Sequence, residues 1–213
     1  MSSSDRPGGG EERWHVHYDE GVPRAIDFED VPLHDFIDRA ASQWGDRPAL
    51  VFLNCRFTYA ELQDKVNRFA AALQDLGVKE GTRVAVQLPN LPQTVIAFYG
   101  ALRAGAEVVM TNPLYTLREI EHQWSDADCE IAIVADFIFE DTVGPNRQKL
   151  RPKTYVVAHI PDYLRFPLNL LAPLKLKKQT PKRYAMIRAL PGVLLSMARV
   201  SAASPNPRPI SRT

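Results

Sequence analysis

The feature that most restricts this chain is an alternation, between residues 83 and 160, of short β-branched runs with helix-length amphipathic stretches. "RVAVQL" (83–88), "AEVVMT" (106–111), "EIAIVA" (130–135) and "TYVVAHI" (154–160) read as buried strands. Between them, "TVIAFYGALRAG" (94–105) predicts a helix ending at Gly105, and a further helix is expected over 138–150. The intervening helix opens at Thr116 and turns Ile120 and Trp124 inward. Parallel neighbours need a crossover of about this length, whereas hairpins need only a few residues. The expected fold class is therefore α/β, a mostly parallel sheet with helices packed on it.

The preceding residues extend the pattern. Leu33, Phe36, Ile37, Ala40, Ala41 and Trp44 recur at helical spacing up to Gly45, and "PALVFLNCRFTY" reads as two short strands joined by a turn. Thr58 and Glu61 then stand three apart, as do Thr116 and Glu119. At that spacing the hydroxyl and the carboxylate can satisfy each other's free backbone amides at a helix start. Leu62, Val66, Phe69, Leu73 and Leu76 form one stripe, closed by Gly77.

Charge divides the chain. Residues 1–160 carry 16 basic against 24 acidic side chains, whereas 161–213 carry 10 basic against Asp162 alone. Eight of the 17 prolines also lie beyond residue 160 and forbid one long helix there. The expected organisation is a disordered tail (1–12), an α/β unit (13–160), short basic amphipathic helices (161–200) and a Pro/Ser linker (201–213). Lys175, Lys177, Lys178, Lys182 and Arg183 are candidate contacts to an anionic membrane surface. The competing reading is a proline-broken excursion whose charges are simply solvated.

The net charge of +1 gives no global pull toward nucleic acid. Cys55 and Cys129 lack metal-site spacing and fit small core residues in a reducing cytoplasm. The polar start lacks a signal-like apolar stretch, and the longest apolar run, "IAIVADFIF" (131–139), is interrupted by Asp136. A cytoplasmic protein, peripheral at most to a membrane, is expected.

No phosphate-binding glycine loop of the G-x-G-x-x-G or G-x-x-x-x-G-K-[ST] type is present, nor a G-x-S-x-G nucleophile turn. His15 and His17 form an H-x-H pair better read as solvated than as metal ligands. His122 fits a polar helix face, and Asp126 and Asp128 fit turn and cap positions. Neither a catalytic set nor a metal site is expected from these residues.

"FTYAEL" (57–62), followed by "LRAG" (102–105) and "NPLYTLRE" (112–119), resembles two signature blocks of the AMP-forming acyl-CoA synthetases. The likeness covers residues 13–160, and the wording "NPLYTLREIEHQ" is most similar to long-chain fatty-acid–CoA ligases. One departure is Leu117, where those ligases often carry proline. The resemblance implies a two-step reaction: ATP and a fatty acid form an acyl-adenylate and pyrophosphate, then coenzyme A displaces AMP. Mg²⁺ and a Ser/Thr/Gly-rich lysine loop would manage the phosphates.

In that family the phosphate loop, the ribose-binding Asp and the catalytic Lys all follow the region matched here. The resemblance therefore implies an N-terminal piece of such an enzyme, inactive alone, with no cofactor of its own and with apolar surface able to self-associate. It also places Thr111, Asn112, Pro113 and Tyr115 toward the coenzyme A entrance. The alternatives are a non-catalytic membrane-surface or adaptor module, or part of an aryl- or medium-chain CoA ligase or luciferase-like enzyme.

Overall fold

In the computed structural model, residues 13–53, 55–159, 193–195 and 206–209 are described. The chain divides into two units, Met1–Pro32 and Leu33–Thr213. In the first, Arg13–His17 form a 3-10 helix with no buried residue, and the rings of His15 and Tyr18 meet edge-on with centroids 5.3 Å apart. The expected tail at 1–12 lies outside the described residues.

The second unit opens with helix α1 (Asp35–Trp44) and an antiparallel hairpin of β1 (Pro48–Phe52) and β2 (Cys55–Thr58). Of the stripe expected on α1, Ile37 is buried, while Leu33, Phe36 and Trp44 remain exposed. Helix α2 (Tyr59–Asp75) starts on the predicted capping box: Glu61 N–H donates to Thr58 Oγ1 at 3.2 Å, and Thr58 N–H to Glu61 Oε2 at 2.8 Å. Its stripe of Leu62, Val66, Phe69 and Leu73 is buried. The helix ends at Gly77, whose φ of 92° is costly for any residue with a Cβ.

Next come β3 (Arg83–Gln87), α3 (Pro92–Ala104), β4 (Glu107–Met110), α4 (Leu117–Asp126) and β5 (Ile131–Ala135). They are followed by β6 (Thr154–Ala158) and β7 (Val193–Leu195). All five sheet strands run parallel in the order β4-β3-β5-β6-β7, which bears out the expected architecture. Helix α3 begins two residues before the expected 94, because Pro92 suits the first helical turn, where no amide donor is needed. Every residue of β5 is buried, as a strand covered on both faces requires.

Two expectations are corrected. The single helix at 138–150 is instead α5 (Asp136–Ile138), a π-helical turn (Phe139–Val143) and α6 (Gly144–Asn146). Pro145 supplies no amide donor and crowds the preceding turn, so the ladder widens there. Within the span assigned to short helices (161–200), Val193–Leu195 is a strand paired with Tyr155–Val157. It follows Pro191-Gly192, a helix-breaking pair. The remainder of that span lies outside the described residues.

Burial sets the acid–base behaviour of the core. Desolvation raises the Cys129 thiol from 9.0 to about 11, with nearby charges secondary. It likewise raises the Tyr155 phenol from 10.0 to about 12, and that hydroxyl donates to Pro152 O at 2.9 Å. The folded state therefore keeps protons that the unfolded chain releases at ordinary values, so stability falls as pH rises. Denaturant midpoints are expected to decline from about pH 9 toward 12. Midpoints that stay flat across that window would contradict this burial.

Candidate functional site at the carboxyl edge of the sheet

In a parallel sheet the carboxyl ends of the strands face one edge, and loops leaving that edge are where such folds hold ligands. Here that edge carries the end of β3, the turn after β4 and the ends of β5 and β6. The turn is built by its own sequence. Asn112 Oδ1 accepts from Leu114 N–H at 2.9 Å, Asn112 O accepts from Tyr115 N–H at 3.1 Å, and Thr116 starts α4. This is an Asx turn running directly into a helix cap.

The four candidate residues separate by role. Thr111 is buried, and its hydroxyl accepts from Trp124 Nε1–H at 2.9 Å, while its own N–H extends the ladder to Val86 O at 3.0 Å. Asn112 is exposed, Pro113 and Tyr115 are half-buried, and Leu114 is 88% exposed at the tip. The first candidate thus holds the loop onto the sheet, Asn112 is open to solvent, and Tyr115 packs in part against the core. A Thr111→Val substitution keeps the shape but leaves the Trp124 N–H buried without a partner. We expect it to cost about 1–3 kcal/mol in urea denaturation; a loss under about 0.5 kcal/mol would show that the bond is not needed.

The Thr116–Glu119 capping box is present at the start of α4. The Glu119 carboxylate accepts from both the hydroxyl (2.7 Å) and the amide (2.8 Å) of Thr116. Those bonds, the hydroxyl's first, hold the carboxyl below its usual range, so Glu119 stays ionised into mildly acidic solution. One turn on, Arg118, Glu119 and His122 line an open depression of about 470 Å³.

Sequence reasoning missed the glutamines. Gln87 is fully buried at the end of β3 and donates from Nε2 to Asn112 O at 3.2 Å, while Gln123 donates to Met110 O at 3.2 Å. Among the described residues, neither Gln87 Oε1 nor Gln123 Oε1 accepts a hydrogen bond. Further along the same edge, His159 Nδ1 lies 3.2 Å from Asp136 Oδ2, and Gln93 Nε2 donates to His159 O at 2.9 Å. The available signal was a single polar residue inside or ending each apolar run: Gln87 in "RVAVQL" and His159 in "TYVVAHI".

Among the described residues no group of three or more His, Cys, Asp or Glu side chains is placed to hold a metal, and no helix is long and apolar enough to cross a membrane. His15 and His17 lie in the first unit. Asp128 does more than turn the chain: it adopts a φ of 52° and pairs with Arg151 at 2.5 Å and Arg83 at 3.9 Å. Lys175, Lys177, Lys178, Lys182 and Arg183 lie outside the described residues.

Residues 37–191 match the family model described as AMP-binding enzyme. The chain belongs to the AMP-binding enzyme family. Within it, the chain is 35% identical over 166 residues to a long-chain-fatty-acid–CoA ligase of Bacillus subtilis, covering 78% of this chain and 30% of that protein. It is 42% identical over 130 residues to the Yersinia pestis ligase of the same name, covering 60% and 23%. The solved long-chain-fatty-acid-CoA ligase FadD1 of Archaeoglobus fulgidus superimposes with a TM-score of 0.67 at 20% identity, over 91% of this chain and 34% of that one. At that identity the likeness establishes the fold alone. The chain spans less than a third of the curated relatives it matches.

Proposed function

We propose that this AMP-binding family chain forms the N-terminal part of a long-chain fatty-acid–CoA ligase, which joins a fatty acid to coenzyme A through an acyl-adenylate. The observation that carries the reading is the identity to ligases of that name, 35% over 166 residues and 42% over 130. That identity favours a long-chain acid over the aryl- and medium-chain alternatives. In this reading Asn112, Pro113 and Tyr115 form one wall of the coenzyme A entrance, and Thr111 anchors that wall through Trp124. ATP and Mg²⁺ would be held by the family's phosphate loop, for which these 213 residues contain no candidate. The chain by itself accordingly adenylates nothing, and its exposed apolar side chains favour self-association.

The test is a chimera in which this chain's matching stretch replaces its counterpart in the Yersinia pestis ligase, with folding checked by thermal melting. The folded chimera is expected to form long-chain acyl-CoA. Asn112→Ala or Tyr115→Ala in it should raise KM for coenzyme A several-fold and leave KM for ATP unchanged. A folded chimera that makes no acyl-CoA, or whose KM for coenzyme A ignores both substitutions, would sink the reading.

The basic span adds a second element: Lys175, Lys177, Lys178, Lys182 and Arg183 contact an anionic membrane from which a hydrophobic acid arrives. The charge asymmetry supports it. Sedimentation with anionic liposomes at low salt, and none with neutral ones, is the expected outcome; equal behaviour in both removes it.

A further inference from the structure

The carboxyl end of α2 carries an unusual polar contact with a segment 134 residues further along the chain. The Gln74 amide brackets one backbone unit: Nε2–H donates to Arg208 O at 3.0 Å, and Oε1 accepts from Arg208 N–H at 2.7 Å. A side-chain amide thus supplies the donor and acceptor that a neighbouring β-strand would supply. Beside it, the Arg208 guanidinium stands 3.4 Å from Asp75 Oδ1, a pair too exposed to add much.

The segment is made for this recognition. It reads Asn206-Pro207-Arg208-Pro209, and neither proline has an amide hydrogen. Each proline also pushes the residue before it toward extended backbone, so Arg208 is held extended before it meets anything. From Pro207 to Pro209 only Arg208 offers both an N–H and a C=O, and Gln74 takes both. Little conformational freedom is lost on docking, which lets two exposed hydrogen bonds hold a surface segment.

We propose that the end of α2 is a docking notch for this proline-flanked segment, with Gln74 as the anchor. The notch reads backbone rather than side chain and fixes the point from which the chain beyond Pro209 sets out. On the ligase reading that chain leads toward the phosphate-binding loop, so the anchor would set where that loop begins. The notch itself does not depend on the ligase reading, which the chimera judges separately.

Amide hydrogen exchange on the whole chain tests it, read at residue 208 with Val84–Val86 as the internal check of folding. The residue 208 amide is expected to exchange about tenfold more slowly than an unprotected amide in the wild type. Gln74→Ala should return it to the unprotected rate with the core amides unchanged, and Gln74→Glu, which keeps an acceptor, should retain part of the protection. Arg208→Ala should keep most of it, because the backbone is what Gln74 holds. An unprotected wild-type amide, protection that survives Gln74→Ala, or protection lost in Arg208→Ala alone would overturn the proposal.

Discussion

Replacing Arg103 with alanine should lower stability by about 2–4 kcal/mol, enough to unfold a marginal domain near body temperature. Arg103 is 7% exposed near the end of α3. Its guanidinium donates to Asn67 Oδ1 on α2 and to His34 O at 3.1 Å, and it pairs with Asp38 on α1 at 2.7 Å. Three helices are thus joined through one planar, always-charged group. Asp38 is also held by Gln63 Nε2–H at 2.8 Å. Asp38 keeps 45% of its side chain exposed and can regain water, so the cost falls below that of a fully buried broken pair. The measurement is the urea midpoint at unchanged slope. Arg103→Lys should recover only part of the loss, since one ammonium cannot reach all three acceptors in the same geometry. A midpoint for Arg103→Ala within 0.5 kcal/mol of wild type would refute the role.

Gly100→Ala has two opposite expectations, and the structure decides between them. Helix propensity alone favours alanine inside α3 by about 1 kcal/mol. A Cβ built at Gly100, however, falls 2.8 Å from Phe69 Cδ1, 3.3 Å from Phe69 Cβ and 3.4 Å from Val66 O. Phe69 is fully buried and has no room to swing away. The close approach of α2 and α3 therefore wins. Gly100→Ala should lose about 1–3 kcal/mol, with Gly100→Val worse. The double variant Gly100→Ala with Phe69→Leu should lose less than the two single changes together, because the smaller side chain gives the new methyl space. A stabilised Gly100→Ala would mean the helices separate more easily than this packing allows.

Four of the five sheet strands, β3 to β6, were legible in the sequence because each is a β-branched run closed by a turn signal, whereas β7 lies in a span that read as short helices. The helix starts at Thr58 and Thr116 were equally legible, since capping needs a hydroxyl and a carboxylate three apart and nothing more distant. What escaped was everything decided by partners far along the chain. Arg103 joins α3 to α1 and α2 through partners 36 to 69 residues away, which no local spacing announces. Gln87 sits inside an apolar strand, and its partner Asn112 O is 25 residues further on. The pairing of Gln74 with Arg208 joins residues 134 apart, and local pattern carries no trace of it. The π-helical turn at Phe139–Val143 was hidden differently, because its apolar spacing mimics an ordinary helix and only Pro145 disturbs the ladder.

The same distinction applies to the carboxyl edge. Its wording was recognisable, but the division of labour within it was not. Thr111 lies in the ligand-facing stretch by sequence position, yet its hydroxyl is bound to a buried tryptophan. Asn112 has its side-chain oxygen committed to the turn and its carbonyl to Gln87 and Tyr115. On the proposed reading, what the loop offers coenzyme A is the outer surface of Asn112, Pro113 and Tyr115.

We propose above that these residues build one wall of an acyl-CoA ligase and carry none of its adenylating machinery. ATP–pyrophosphate exchange on the purified 213-residue chain, with Mg²⁺ and a long-chain fatty acid, tests this most directly. The expected rate is that of the protein-free blank, with and without the acid. Fatty-acid-dependent exchange above that blank, abolished by denaturing the chain, would contradict the claim.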